Sequence, residues 1–121
     1  MKIVVGGQID KRAIADQLAD LIPEAEVEVK GDLEASMAIK SNQADYYIGA
    51  CNTGGGGALA MALALLGKNN CATLSMPGKI LGDGEIEEEV KAGKRAFGFT
   101  AQHREQVLPV LISAIKKWGT K

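Results

Sequence analysis

Short apolar runs alternate with longer amphipathic segments along the chain. The short runs suit strands that are buried on both faces, and the longer segments repeat apolar residues with the period of a helix. The pattern predicts five strand–helix units. The predicted strands are residues 3–5, 27–29, 46–50, 71–74 and 96–99. The second of these alternates valine with glutamate, which is typical of an edge strand.

The predicted helices carry signals at their ends. Asp10 is the expected N-cap of the first helix, which Pro23 ends, and Asp32 is the expected cap of the second. The side chains expected to face the sheet are Ile14, Leu18, Leu21 and Ile22 in the first helix and Leu33, Met37 and Ile39 in the second. We therefore predict one α/β domain over residues 1–121: a parallel five-stranded sheet with helices on both faces, flavodoxin-like or Rossmann-like.

The third predicted helix, residues 58–66, has no charged side chain on any face. Such a helix is expected to be buried all round, and in a chain this short a neighbouring subunit is the expected cover, so we predict a homo-oligomer. A short acidic helix is predicted at residues 85–92 and a closing helix at residues 101–118. Pro109 is expected to kink the closing helix or to break its first turns.

Length, charge and composition narrow the class of partner. A chain of 121 residues is long enough for one core and too short for two. The net charge of -1 and the aromatic content of 4% argue against nucleic acid as a partner. The N-terminal residues resemble a first strand more than a signal peptide, and the longest apolar stretch, residues 54–67, falls short of the ~20 residues that span a membrane. We expect a cytoplasmic protein without membrane insertion.

Candidate metal ligands are few. Cys51 and Cys71 are expected as reduced thiols in a cytoplasmic chain, and His103 is the single histidine. Because the sequence has no paired-cysteine motif and no second histidine, we predict no metal site and no cofactor. Cys71 lies within a predicted strand and is expected in the core.

Open α/β sheets bind ligands beyond the carboxyl ends of their strands. The loops after the first, third, fourth and fifth predicted strands are therefore expected to share one ligand-binding edge. The candidate ligand-binding residues are Gly6, Gly7, Gln8, Asn52, Thr53, Gly54, Gly55, Gly56, Gly57, Ser75 and Lys79. The ammonium group of Lys79 could pair with an anion there or be solvated.

Four consecutive glycines, residues 54–57, follow the third predicted strand. Glycine lets the backbone approach a ligand closely, and the N–H groups of a following helix favour a phosphate or a carboxylate. The loop lacks the lysine of a nucleotide P-loop, and it does not follow the first strand as dinucleotide-binding glycines do. We predict an anion-binding loop, with close packing of the next helix as the alternative role of these glycines.

Cys51 and His103 are the candidate catalytic residues. Cys51 ends the third strand, where the helix dipole would activate its thiol as a nucleophile or base; a small packed side chain is the alternative. His103 falls in the first turn of the last helix, after Thr100 as the expected N-cap. Its imidazole could act as a general acid or phosphate contact, or simply be solvated.

Residues 45–54, together with the short segments 77–78 and 96–98, resemble a family of short bacterial proteins described as a domain of unknown function. The resemblance extends over the whole chain. It implies a place in operons beside a membrane transport protein and metabolic enzymes, and therefore a role in small-molecule metabolism with a transport protein as a candidate partner.

The turn from Cys51 to Gly54 is also similar to the group formed by ribose-5-phosphate isomerase B and galactose-6-phosphate isomerase, in which a strand ends in Cys-Gly-Thr/Ser-Gly. The resemblance implies that Cys51 moves a proton between sugar carbons while the turn containing Thr53 stabilises the enediolate. The departures from that pattern are Asn52 for a glycine, Ala58 for a serine, and Gly6, Gly7 and Gln8 where an Asp-His pair is expected.

Phosphotransferase IIB proteins offer a third comparison, since they share the predicted size and fold class. Their phosphorylated cysteine follows the first strand, where this chain has glycine.

Three hypotheses of function follow. The preferred one is a protein that binds a small phosphorylated or carboxylated metabolite, accessory to transport or catabolism. The second is an isomerase with Cys51 as base, Thr53 and the loop N–H groups as oxyanion site, and His103 as acid. The third is a phosphotransferase IIB-like protein or a purely structural interaction module.

Overall fold

Parallel strands form the centre of the protein in a computed structural model that describes residues 1–52 and 59–119. The strands are β1 (Lys2–Gly7), β2 (Glu26–Val29), β3 (Tyr46–Cys51), β4 (Cys71–Thr73), β5 (Ser75–Met76), β6 (Lys79–Ile80) and β7 (Ala96–Thr100). The α-helices of the described part are α1 (Lys11–Leu21), α2 (Asp32–Lys40), α3 (Ala60–Leu66), α4 (Asp83–Lys91) and α5 (Arg104–Trp118). Short 3-10 turns at Lys68–Asn70 and Ala101–His103 precede β4 and α5.

The main sheet has five parallel strands in the order β2-β1-β3-β7-β4. The predicted α/β class and parallel five-stranded sheet are therefore confirmed, and β2 is the predicted edge strand. A flavodoxin-like order would place β4 between β3 and β7, so the observed order is a different member of the Rossmann-like class. Strand order reverses at β1, because β2 lies on one side of it and β3 on the other.

Apolar side chains pack on both faces of this sheet. On one face, α1, α4 and α5 cover side chains such as Ile48 and Phe97. On the other face, α2 and α3 cover Val4, Tyr47 and Cys71. Cys71 is buried there as predicted, and its burial raises the pKa of its thiol. The helices lie on both faces as predicted, and no helix within the described residues is long and apolar enough to cross a membrane.

The inward face of α2 differs from the prediction. Leu33 and Met37 are 53% and 47% exposed, whereas the small residues Ala35 and Ala38 are buried together with Ile39. The cause is the close approach of α2 to β1, since a β carbon added at Gly6 would lie 3.1 Å from the Ala35 β carbon. Only small side chains fit between a helix and a strand at that separation.

The start of α2 also corrects a prediction. Gly31 occupies the N-cap position, and Asp32 is the first helical residue instead of the cap. The carboxylate of Asp32 accepts hydrogen bonds from outside its own helix, from the Tyr47 hydroxyl and from the Gly7 N–H.

The apolar helix α3 is not buried all round within this chain. Leu59 and Ala62 are buried against α2 and the sheet. Met61 and Leu63 are 37% and 40% exposed on the opposite side. The part of the predicted helix before residue 59 lies outside the described residues.

The segment after β4 is a hairpin instead of the predicted loop. Ser75 and Met76 pair antiparallel with Ile80 and Lys79. Pro77 and Gly78 form the turn, and Gly78 has a φ of 79°, a value that glycine adopts without strain. The hairpin projects from the carboxyl edge of the sheet and leads into α4.

The starts of α1 and α5 differ from the predicted caps. Asp10 holds the N-cap position of α1, but with a φ of 58° and without a side-chain capping hydrogen bond. The residues after Thr100 form a 3-10 turn, so α5 begins at Arg104 and His103 takes its N-cap position, also without a side-chain cap. Pro109 lies within α5, which continues through it to Trp118, so the helix does not break at Pro109; the alternative, a kink, stays a prediction.

Candidate functional site

The loops that follow β1 and β7 meet the end of β3 at the carboxyl edge of the sheet, where strand order reverses. Gly7 is paired with Ala50, and Cys51 with Thr100. The backbone N–H of Gln8 donates to the Ala50 carbonyl at 2.9 Å, which fixes the first loop against the end of β3. This arrangement agrees with the general position of ligand sites in open α/β sheets.

A cleft of about 590 Å³ opens between these loops. Its walls come from the turn before α1, the end of β3, and the 3-10 turn that leads into the first turn of α5. The residues lining it are Ile9, Asp10, Asn52, Ala101, Gln102, Arg104, Glu105 and Gln106. Most of these side chains are polar, so the cleft suits a ligand that makes several hydrogen bonds.

Helices α1 and α5 both begin at this cleft. Neither N-terminus has a side-chain capping hydrogen bond, although the Arg104 N–H donates to the Ala101 carbonyl of the preceding 3-10 turn. The positive ends of both helix dipoles lie at the cleft. Arg104 adds a guanidinium group, and its Nη1 donates to Gln17 Oε1 at 2.8 Å. Among the described residues its Nε is buried without a hydrogen-bond partner.

The sequence-predicted residues after β1 and β3 lie at or beside the cleft. Asn52 lines it, and Cys51, the preceding residue, is 1% exposed at the end of β3. Gly6 and Gly7 are buried beneath it, and the exposed Gln8 follows them in the first loop. The predicted ligand-binding residues that lie outside the described part are Thr53, Gly54, Gly55, Gly56 and Gly57.

The residues predicted from the later loops are more scattered. Ser75 is 2% exposed, and its hydroxyl accepts a hydrogen bond from the Thr100 N–H at 2.9 Å, so it links β5 to β7. Lys79 is exposed on β6 and does not line the cleft. His103 follows the cleft residue Gln102, but its own ring is not part of the wall described above.

A buried hydroxyl–carboxylate contact beneath the first loop was not predicted. The Tyr47 hydroxyl donates to Asp32 Oδ1, which also accepts from the Gly7 N–H at 3.4 Å. Burial, and then the bond to Asp32, raises the pKa of Tyr47 well above its usual range. The contact joins the start of α2 to the first residues of β3 and to the carboxyl end of β1, and so supports the loop that carries Ile9 and Asp10.

Sequence reasoning also missed most of the α5 wall. Arg104, Glu105 and Gln106 are ordinary polar residues of a helix start, and nothing in their spacing marks them as ligands. The usable signal was their position directly after the last strand of a parallel sheet. Within the described ranges there is no group of histidine, cysteine and carboxylate side chains that could hold a metal ion.

Comparison with known proteins agrees with this description. A crystal structure of ribose-5-phosphate isomerase B from Giardia lamblia superposes on this chain with a TM-score of 0.72, covering 100% of this chain and 98% of that one. The sequence identity is 20%, so the likeness shows a shared fold. Relatives named "Uncharacterized protein YhfU", from Escherichia coli strain K12 and from Shigella flexneri, are 46% identical over 91 residues, which is 75% of this chain and 78% of theirs. The predicted family resemblance is confirmed: residues 1–115 match the family described as "Protein of unknown function DUF2620", and the chain belongs to it.

Proposed function

We propose that the chain binds a small phosphorylated or carboxylated metabolite in the cleft, as a cytoplasmic accessory to transport or catabolism. The observation that carries the proposal is that the starts of α1 and α5, neither of which has a side-chain cap, meet Arg104 in the lining of one cleft. Unpaired N–H groups, helix dipoles and a guanidinium all favour a negatively charged group.

The size and place of the cleft support the same proposal. A volume of about 590 Å³ is within the range of small-molecule sites. The cleft also lies beside the point where strand order reverses. We place the anionic group of the ligand near Arg104, and we propose that Thr53 and the glycines 54–57, which follow the cleft residue Asn52 in sequence, add further N–H donors.

Calorimetric titration of the whole chain with inorganic phosphate, ribose 5-phosphate and citrate tests the proposal. We expect at least one of these anions to bind, and the variant Arg104→Gln to bind it about tenfold more weakly, as expected for loss of a charge-assisted hydrogen bond. Lys116→Gln removes the same charge at the far end of α5 and should leave the affinity unchanged. Failure of a folded chain to bind any of these anions would contradict the proposal.

The second candidate function is isomerisation of a sugar phosphate with Cys51 as base. The observations that favour it are the fold shared with ribose-5-phosphate isomerase B over the full length and the position of Cys51 directly before Asn52. Thr53 with the loop N–H groups would hold the oxyanion, and His103 would supply the acid.

Aldose–ketose conversion of pentose and hexose phosphates measures this activity directly. The expected result is turnover by the natural chain and none by a folded Cys51→Ala variant, whereas Cys71→Ala keeps it. Alkylation gives a second measurement, since a base thiol reacts faster than a free thiol near neutral pH. A Cys51 that alkylates no faster, in a chain without turnover, would remove this candidate.

We also propose that α3 assembles the chain into a homo-oligomer. Helix α3 packs beside α2. Its Met61 and Leu63 are exposed, and so are Leu33 and Met37 of α2. Residues 59–66 carry no charge. The same helix of a second chain, related by a two-fold axis, can therefore pack against this apolar surface.

Sedimentation velocity tests the homo-oligomer. We expect a dimer or larger species that the substitution Leu63→Lys converts to a folded monomer, while Ser113→Lys on the exposed side of α5 leaves it intact. A natural chain that sediments as a monomer at micromolar concentration would contradict the proposal.

A further inference from the structure

The cleft lining carries charges of both signs. Arg104 contributes one positive charge, whereas Asp10 and Glu105 contribute two carboxylates to the same lining. In the described part of the chain no ion pair within 4.0 Å involves any of these three side chains; the pairs that exist join Lys2, Lys30 and Lys91 to glutamates elsewhere. The cleft therefore offers a ligand one positive side chain and two negative side chains that are not paired with one another.

The acidic character continues into a neighbouring groove. This groove, of about 450 Å³, shares Arg104 and Glu105 with the cleft and is otherwise lined by residues of α1. Two of those residues, Asp16 and Asp20, are acidic, and Arg104 is the one cation of its lining. Glu105 thus lies at the boundary between the cleft and an acidic groove.

A phosphate bound near Arg104 would have Asp10 and Glu105 as neighbours. Like charges repel one another, so the two carboxylates weaken the binding of a ligand that carries only negative charge. A positive group on the ligand removes the conflict, because it pairs with the carboxylates while the phosphate pairs with Arg104 and the helix N-termini. Specificity of this kind rejects a ligand that leaves the carboxylates unpaired.

We infer that the natural ligand is zwitterionic, an amino-bearing phosphorylated or carboxylated compound whose ammonium group lies against Asp10 and Glu105. The inference rests on the proposed function, since it names the class of metabolite that the same cleft takes. Asp10 and Glu105 are its specificity-determining residues. Asp10 holds the N-cap position of α1 with a φ of 58°, and its carboxylate makes no capping hydrogen bond.

Two small phosphates that differ in one group test the inference on the full-length chain. 2-Aminoethyl phosphate carries an ammonium where propyl phosphate carries a methyl group. In an NMR titration near neutral pH at low salt, we expect the amino compound to bind about tenfold more tightly, as two partly exposed ion pairs allow. At about 1 M salt the preference should fall toward unity, because charges separated by more than about 3 Å are then screened.

Variants assign the preference to the two carboxylates. The double variant Asp10→Asn with Glu105→Gln should lose the preference and bind propyl phosphate at least as tightly as before. Glu24→Gln, the same chemical change in the connection between α1 and β2, should retain the preference.

The outcomes separate the two proposals. Equal binding of the two phosphates by the natural chain, or a preference that survives in the double variant, would overturn the inference and leave the proposed anion site intact. Binding of neither phosphate by the folded chain would count against both. Tighter binding of propyl phosphate would show that the carboxylates are not part of the site.

Discussion

At the scale of single residues, the ring of Tyr47 occupies space that two glycines leave open. A β carbon at Gly6 would lie 2.5 Å from the Tyr47 Cε2, and one at Gly49 would lie 3.1 Å from the Tyr47 Cε1. The fully buried ring therefore lies against bare backbone on two strands. Sequence reasoning assigned Gly6 to a ligand site, but its absent side chain has a packing role that only the partner residues reveal.

Gly6→Ala should destabilise the protein by about 1–3 kcal/mol, because the added methyl group forces Tyr47 or Ala35 to move within a close-packed core. The measurement is the free energy of unfolding in urea. Gly84→Ala is the matched control: it lies in α4 with no atom within 4 Å of the added carbon, and it should stabilise the chain by about 0.5–1 kcal/mol. Equal effects at both positions would contradict the packing argument.

Tyr47→Phe keeps the ring and removes the bond to Asp32, so the variant should lose about 1–2 kcal/mol of stability near neutral pH. The loss should shrink at alkaline pH. An unfolded tyrosine releases its proton above about pH 10, whereas the raised pKa keeps Tyr47 protonated in the folded chain. Above that pH the folded state holds more protons than the unfolded state, so the natural chain loses stability as pH rises. The Phe variant has no hydroxyl at this position, so it does not undergo this loss.

Urea unfolding of both proteins between about pH 8 and 11 measures this difference. We expect a constant gap in the free energy of unfolding below about pH 10 and a narrowing gap above it. Parallel curves over the whole range would show that Tyr47 ionises equally in both states.

At the scale of elements, the hairpin of β5 and β6 is tied to the main sheet by one side chain. The Ser75 hydroxyl accepts from the Thr100 N–H, which ends β7 next to the cleft. The sequence shows a serine followed by Pro77 and Gly78, which predicts a turn, but it contains no signal that the hydroxyl reaches a strand 25 residues later. A hydrogen bond of that span depends on tertiary packing and so could not be predicted from local pattern.

Ser75→Ala should cost about 1–3 kcal/mol of stability, since it leaves a buried N–H without its acceptor. Thermal and urea unfolding give the magnitude, and Ser113→Ala on the exposed side of α5 should stay within about 0.5 kcal/mol of the natural chain. Ligand affinity should be unchanged. A stable variant with weakened ligand binding would instead restore the sequence-based hypothesis that Ser75 contacts the ligand.

The helices show where sequence pattern is reliable. Ile14 and Leu18 are buried in α1, as their spacing predicts. In α2 the same reasoning selected Leu33 and Met37, which are exposed, because close approach at Gly6 favours alanine. Periodicity identifies a helix, but the distance to its neighbour decides which of its faces is inward.

At the scale of the whole molecule, alternating strands and helices were enough to predict the parallel sheet and the edge that carries the cleft. The order of the last strands was not predictable, because right-handed connections allow β7 on either side of β4. Of the candidate ligand-binding residues, Asn52 lines the cleft. The remaining residues of the lining are defined by how the starts of α1 and α5 meet in space.

Native-state hydrogen exchange should follow the sheet order. Val5, Ile48 and Phe97 lie fully buried on the three central strands, so their amides should exchange only through global unfolding. Glu28 lies on the edge strand β2 and should exchange faster through local opening. NMR exchange rates in low denaturant measure both, and protection of β2 equal to that of β3 would contradict the expectation.

The hydrogen bond from Arg104 to Gln17 joins residues 87 positions apart in sequence. The cleft beside it draws its walls from the beginning, the middle and the end of the chain, so local unfolding of any one of these regions removes part of it. A ligand that contacts every wall of the cleft binds only the fully folded chain, so it stabilises the folded state as a whole. At about a hundred times its Kd it would add about 2.7 kcal/mol to the free energy of unfolding, and it would slow the exchange of distant β-sheet amides as well as those near Arg104.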